Sequence, residues 1–127
     1  MCDSSPPAGT TLAGDRHAAR SARRFLDEYW CVEHAALLRP QAEVVVSELV
    51  SNAVQHGSGP VAITLDCAGV DGVTLAVSDG SVDLPELRDG GPSAASGRGV
   101  RLVAVLSDDW GVRTRPGGKT VWSLLRP

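Results

Sequence analysis

Glu48, Asn52 and His56 recur four residues apart in the stretch SELVSNAVQH, residues 47–56. On an α-helix that spacing stacks the three side chains along one face. Val46, Leu49, Val50 and Ala53 fall on a different face. The helix is therefore apolar on one side and carries a carboxylate, an amide and an imidazole in a column on the other. A solvated face accounts for an acid and an imidazole. Asn suits such a face poorly, because its side chain competes with the backbone and lowers helix propensity. An Asn oxygen can ligate a hard cation such as Mg2+, which keeps several waters and takes substrate phosphates as further ligands. A Glu one turn away can orient or deprotonate a hydroxyl or a water. The column reads either as a solvated helix face or, more sharply, as a metal-and-base row lining a phosphate pocket.

Two further groups can contribute chemistry. Asp79 closes the apolar run GVTLAVSD at residues 72–79. A carboxylate there can cap a turn, or accept a hydrogen bond from the exocyclic amine of adenine. Gly97 and Gly99 flank Arg98 where a loop turns into a helix. Backbone N–H groups and the helix dipole at such a point can hold a phosphate. The plainer reading is a flexible helix start. Two other nucleotide motifs are excluded. The dinucleotide fingerprint GxGxxG must follow a strand directly, whereas here a loop precedes the glycines and Leu102 stands at the third glycine's position. GGKT at 117–120 resembles the end of a P-loop, but Arg113 stands at the first glycine and a strand pattern follows.

These residues need elements to position them. Residues 1–14 are rich in Ser, Pro, Gly and Thr and read as a loose, flexible tail, with TTL at 10–12 a candidate edge strand. Asp15 is placed to cap a helix running to about Trp30, with Ala18, Ala22, Phe25 and Tyr29 on its apolar stripe. Arg16, Arg20, Arg23 and Arg24 lie on another face, either as a solvated surface or as a docking face for an acidic partner. A second helix starts near Pro40 and ends at His56 before Gly57. Residues 61–67 and 72–79 read as strands joined by the turn AGVDG. Residues 80–97 form a long loop of small and polar residues, a length that compact domains reserve for function. A helix over 97–108 and a hairpin of 110–115 with 119–126 complete the chain. This order predicts an α+β fold, a two-layer sandwich of helices on one face of a mostly antiparallel sheet, with one domain over 15–127.

Composition narrows the classes. The sequence has 127 residues, 43% hydrophobic and 21% charged, the profile of one globular domain with its own core. A net charge of −3 argues against direct nucleic-acid binding. No apolar run is long enough to span a membrane, and the N-terminus has no basic start followed by an apolar stretch, so a cytoplasmic protein is expected. Cys2, Cys31 and Cys67 contain no CxxC pair and are expected as reduced thiols. Cys31 and His34 have no second ligand pair, which argues against zinc.

Taken in order, these motifs resemble the GHKL ATP-binding superfamily, which includes DNA gyrase B and the histidine kinases and shares the Bergerat fold. Within it the chain is similar to the small anti-sigma regulatory factors that act as serine/threonine protein kinases. ELVSNAVQHG resembles their N box, VSDGS their first glycine box, GRGVRLV their second, and GGKTVW their closing segment. The resemblance covers about residues 15–126. It implies that Glu48 is the general base and Asn52 the Mg2+ ligand. It implies that Asp79 and Gly80 meet the adenine, with Thr120 assisting on that side. Gly97, Arg98, Gly99 and Val100 would cradle the phosphates, and residues 82–96 would form an ATP lid. His56 matches the motif's last position without an implied role. The implied ligands are ATP and Mg2+. The implied partners are a sigma factor and a STAS-type anti-anti-sigma protein, which the kinase phosphorylates on serine in a partner-switching regulation of transcription. A homodimer is also implied. The alternative is a non-catalytic ATP-binding module that grips a protein partner. One departure stands out: Ser81 and Asp83 occupy the glycine positions of the usual D-x-G-x-G, where glycine lets the backbone approach the base.

Overall fold

The computed structural model describes residues 7–30, 36–56, 59–68, 71–80 and 101–127. The first element is strand β1, Ala8–Leu12. It pairs antiparallel with β2, Val61–Cys67, from Ala8↔Leu65 to Leu12↔Val61. This corrects the reading of residues 1–14 as a loose tail: the strand extends beyond TTL, and the folded unit includes residue 8. Thr10 and Thr11 suit an edge strand with one face in solvent.

Helix α1 spans Ala18–Tyr29. Asp15 was expected to cap it, but the N-cap is His17, with no side-chain cap hydrogen bond, and Asp15 instead orders the turn before it. Its Oδ1 accepts the His17 N–H at 2.8 Å, and its carbonyl accepts the Ala18 N–H at 3.1 Å. The helix buries Ala18, Ala22, Phe25 and Leu26. Tyr29 lies half exposed at the stripe's end, its ring centroid 5.1 Å from that of Phe25. One turn of 3-10 helix, Ala36–Leu38, leads into α2, Arg39–His56. Pro40 falls in its first turn, where a missing N–H costs nothing. Ala42, Val45, Val46, Leu49, Val50 and Ala53 form its buried face. Each fully buried valine or leucine there stabilises by about 1.5–3 kcal/mol.

Ion pairs clasp α1 to α2. Arg39 bonds Asp27 and lies 3.7 Å from Glu43. Arg23 lies 3.9 Å from the same carboxylate and donates to Ser47 Oγ at 3.4 Å. Arg23 therefore belongs to the helix–helix contact, while Arg16, Arg20 and Arg24 remain exposed. Pairs this accessible are worth at most about 1 kcal/mol each, so the apolar faces do most of the packing.

Strand β3, Val73–Asp79, returns beside β2. The Ala68 N–H donates to the Gly72 carbonyl at 2.9 Å across the turn. Gly72 has φ +110°, and a Cβ there would collide with the Leu125 carbonyl, so only glycine fits. Residues 101–106 form the described part of helix α3, with Val103 fully buried. Strands β4, Asp109–Arg115, and β5, Gly118–Leu125, form the closing hairpin. The sheet order is β1-β2-β3-β5-β4, with every neighbouring pair antiparallel. Alternation along the strands sends Val61, Ile63, Leu65, Val73, Leu75, Val77, Val121 and Leu125 into the layer beneath the helices. The expected two-layer α+β sandwich is present. No described helix is long and apolar enough to cross a membrane.

The thiol expectation fails at Cys67, which is disulfide-bonded. A disulfide depends on which chains the fold brings together, which cysteine spacing alone does not reveal.

Candidate functional site

Asp79 is the last residue of β3, and strict alternation places it on the same face as Val73, Leu75 and Val77. Its carboxylate therefore lies on the helix side of the sheet and is 5% exposed. In register beside it on β5 stands Lys119. Its Nζ sits 3.0 Å from both Oδ1 and Oδ2 of Asp79. Lys119 is the only lysine in the sequence and is also 5% exposed. A buried charge this enclosed persists only when paired, and each member of this pair neutralises the other.

The register also decides the place of Thr120. It lies opposite Ser78, and the two hydroxyls are 2.6 Å apart. Both point to the face of the sheet away from Asp79, because neighbours along a strand alternate. Thr120 therefore lies on the other face of the sheet from Asp79, and Lys119 is the β5 residue beside that carboxylate. The signal was present in the sequence. Lys119 is in phase with Val121, Ser123 and Leu125, all of which are buried. Gly118 secures the crossing, since a Cβ there would collide with the Asp79 carbonyl oxygen. Gly80 follows Asp79 and is exposed.

The column on α2 approaches from the other layer. Four residues slightly exceed one helical turn, so the column winds toward the core as the helix proceeds. Glu48 and Asn52 are both partly buried, between buried Leu49 and Ala53 and exposed Ser51 and Gln55. Glu48 has no ion pair among the described residues. The Asn52 Nδ2 is fully buried and has no hydrogen-bond partner among the described residues. Such atoms are uncommon in folded proteins and call for an explanation. Because the amide oxygen and nitrogen are interchangeable by a flip, the orphan position can offer either a donor or an acceptor. That donor set fits a phosphate-bound Mg2+ or its water, and it fits nothing in the apolar core.

Connectivity sets these groups at one end of the molecule. Only residues 57–60 separate the end of α2 from Val61, the first residue of β2. The start of β2 runs beside the end of β3, with Ala62 opposite Ser78. α2 also packs on β3. The C-terminal half of α2 and the Asp79 end of β3 thus flank the same edge of the sandwich. Gly97, Arg98, Gly99 and Val100, the loop 82–96, Ser81 and Asp83 lie outside the described residues, as does the His56 side chain. Among the described residues no group of three or more metal-ligating side chains gathers. A metal here would depend on a single protein ligand and its substrate, as Mg2+ sites commonly do.

This architecture has known counterparts. Residues 12–123 match the histidine kinase-like ATPase domain family. No curated protein matches the sequence significantly. A crystal structure of the RsbU and RsbW domains of Rv1364c from Mycobacterium tuberculosis superposes with a TM-score of 0.66 at 23% identity. The match covers 96% of this chain and 32% of that one, so the present chain spans about a third of its structural relative. The chain belongs to the histidine kinase-like ATPase domain family. Its five-stranded antiparallel sheet under a helical layer is the GHKL ATPase fold, an ATP-binding architecture.

Proposed function

We propose that this chain is a serine/threonine protein kinase of the anti-sigma type. It binds ATP with Mg2+, holds a sigma factor, and phosphorylates a serine of a STAS-type antagonist, so that transcription is regulated by partner switching. A sigma factor as partner would place the chain in the cytoplasm. The observation that carries the reading is the buried Nδ2 of Asn52, without a hydrogen-bond partner among the described residues, one helical turn from Glu48, which has no ion pair among them, on the helix that packs against the Asp79 strand. Family membership supports the ATP-binding part. The likeness to a chain that includes an RsbW domain supports the regulatory part.

In this reading Asn52 would hold Mg2+ through its side-chain oxygen, and the ion would neutralise charge on the nucleotide phosphates. Glu48 accepts the proton of the incoming serine hydroxyl as the oxygen attacks the terminal phosphorus, and ADP leaves. Asp79 takes the amine of the base. Gly97, Arg98, Gly99 and Val100 contribute N–H groups and one guanidinium to the phosphates.

A second reading keeps the pocket without the transfer: an ATP-binding regulatory module that grips a protein partner. Ser81, at a position where the usual glycine lets the backbone approach the base, favours it. Incubation with γ-labelled ATP, Mg2+ and a purified STAS-type protein separates the two. Label on that protein, absent from its serine-to-alanine variant, is the result expected of a kinase. Nucleotide binding without labelling selects the module. Absence of binding removes both readings.

A further inference from the structure

We propose that the sheet face turned away from the helices is a two-fold interface with a second copy of this chain. The inference gives the homodimer implied by the family resemblance a surface. It stands independently of the nucleotide reading, since Asp79 lies on the other side of the sheet. Register arranges this face in rows across the strands. The middle row is Gly9, Thr64, Ala76, Trp122 and Gly111, on β1, β2, β3, β5 and β4 in turn. The buried apolar side chains of β2, β3 and β5 are all in the opposite phase.

The ordinary use of such a face is to meet water, and its side chains should then be charged. Along β2, β3 and β5 they are instead threonine, serine, alanine, Leu124 and Trp122, with Asp66 the one charge. The other charges gather on the edge strand β4. Protein interfaces share that anatomy: charge is depleted at the centre, tryptophan is enriched, and the rim is polar. Trp122 is partly buried and lies along the sheet. Its indole crosses Gly111, where a Cβ would come within 2.8 Å of the ring, and the Arg113 guanidinium is 5.9 Å from the ring centroid. A ring held flat leaves the face level enough to receive a second sheet at about 10 Å.

Charge order selects a second copy as the occupant. On β4 this face carries Arg115 and Arg113 at one end, Gly111 in the middle and Asp109 at the other. None of the three charged side chains has an ion pair among the described residues. A two-fold axis along the middle row reverses the strands and lays each on its counterpart. Arg113 then faces Asp109 of the second copy, and the reciprocal contact follows from the symmetry. The flexible Arg113 side chain spans the offset from the roughly 30° rotation between packed sheets. Area also suffices. Five strands, three of them seven residues long, present a flat patch of roughly 550 Å². Two such patches total about 1,100 Å² before side-chain relief is added, which clears the roughly 1,000 Å² expected of a specific interface.

Sedimentation velocity of the purified full chain at micromolar concentration tests this, with circular dichroism to confirm that each variant folds. Wild type is expected at twice its 13.2 kDa mass. Arg113→Asp and Asp109→Arg each set like charges against each other at both symmetric contacts, and each is expected to weaken the dimer by at least about tenfold. Mixed in equal amounts, the two variants regain an opposite charge at both contacts, and dimer is expected to return. Thr64→Lys, at an exposed position of the middle row, sets two ammonium groups together and is expected to be monomeric. It decides the question alone if a reversal on β4 fails to fold. A monomeric wild type overturns the interface. A dimer that tolerates Arg113→Asp or Thr64→Lys, or a mixture of the reversed variants that stays monomeric, overturns it as well.

Discussion

Asn52 carries a side-chain nitrogen that is buried without a hydrogen bond, and that fact sets what its removal should do. An intact native bond cannot be lost where none exists, so Asn52→Ala should change unliganded stability by less than about 0.5 kcal/mol. The same variant should lose the Mg-ATP-dependent rise in melting temperature, read by thermal shift. A sharp fall in the unliganded melting temperature would make Asn52 structural instead. Glu48→Gln is expected to bind Mg-ATP normally and to slow phosphoryl transfer by about 10²–10⁴-fold, the usual contribution of a general base. Transfer at the wild-type rate in a labelling assay would remove Glu48 from that role. That Glu48 and Asn52 share one partly buried helix face was legible in the sequence, because a four-residue spacing within an apolar helix has one geometric meaning. The partner of Asp79 was overlooked for a different reason. Thr120 was chosen by motif resemblance, whereas period-two alternation from Leu125 back through Ser123 and Val121 leads to Lys119. The disulfide at Cys67 was not legible at all, since cysteine spacing does not state which strands or loops meet.

Elements position the site through a few close contacts. Gly118 opens β5 against the end of β3, and its missing Cβ leaves room for the Asp79 carbonyl. Gly118→Ala should destabilise by about 1–3 kcal/mol, since the obstacle is backbone and cannot rotate away. The check is the urea midpoint, expected to fall with an unchanged slope. A midpoint equal to wild type would mean that the hairpin shifts freely. Leu49 is 3% exposed and follows Glu48 on α2, turned about 100° toward the core. Leu49→Ala should cost about 2–5 kcal/mol by leaving a cavity under α2, read in the same denaturation experiment. The strands at Val61–Cys67 and Val73–Asp79 were legible nearly to the residue, because β-branched runs ending in turn residues admit few alternatives. β1 was only half legible. Its small and polar residues carry no alternating pattern, and its stability comes from pairing with a strand distant in sequence.

At the scale of the molecule, the sheet order β1-β2-β3-β5-β4 sets β5 beside β3, and the described helices α1 and α2 pack on one face. That order brings the end of β3, the start of β5 and, through the short link 57–60, the end of α2 to one edge. The layer arrangement followed from the order of helical and strand patterns. The pairing of β5 with β3 did not, because a hairpin pattern states only that β4 and β5 are neighbours. The central claim is that this edge binds a magnesium nucleotide. The most direct measurement is thermal unfolding of the wild-type chain and Asn52→Ala with ATP, with and without Mg2+. Ligand at a hundred times Kd stabilises by about 2.7 kcal/mol, which for a domain of this size raises the melting temperature by roughly several degrees. The account predicts that rise in wild type only when Mg2+ is present, and its loss in Asn52→Ala. An unchanged wild-type melting temperature at saturating Mg-ATP, or an equal rise in both proteins, would contradict it.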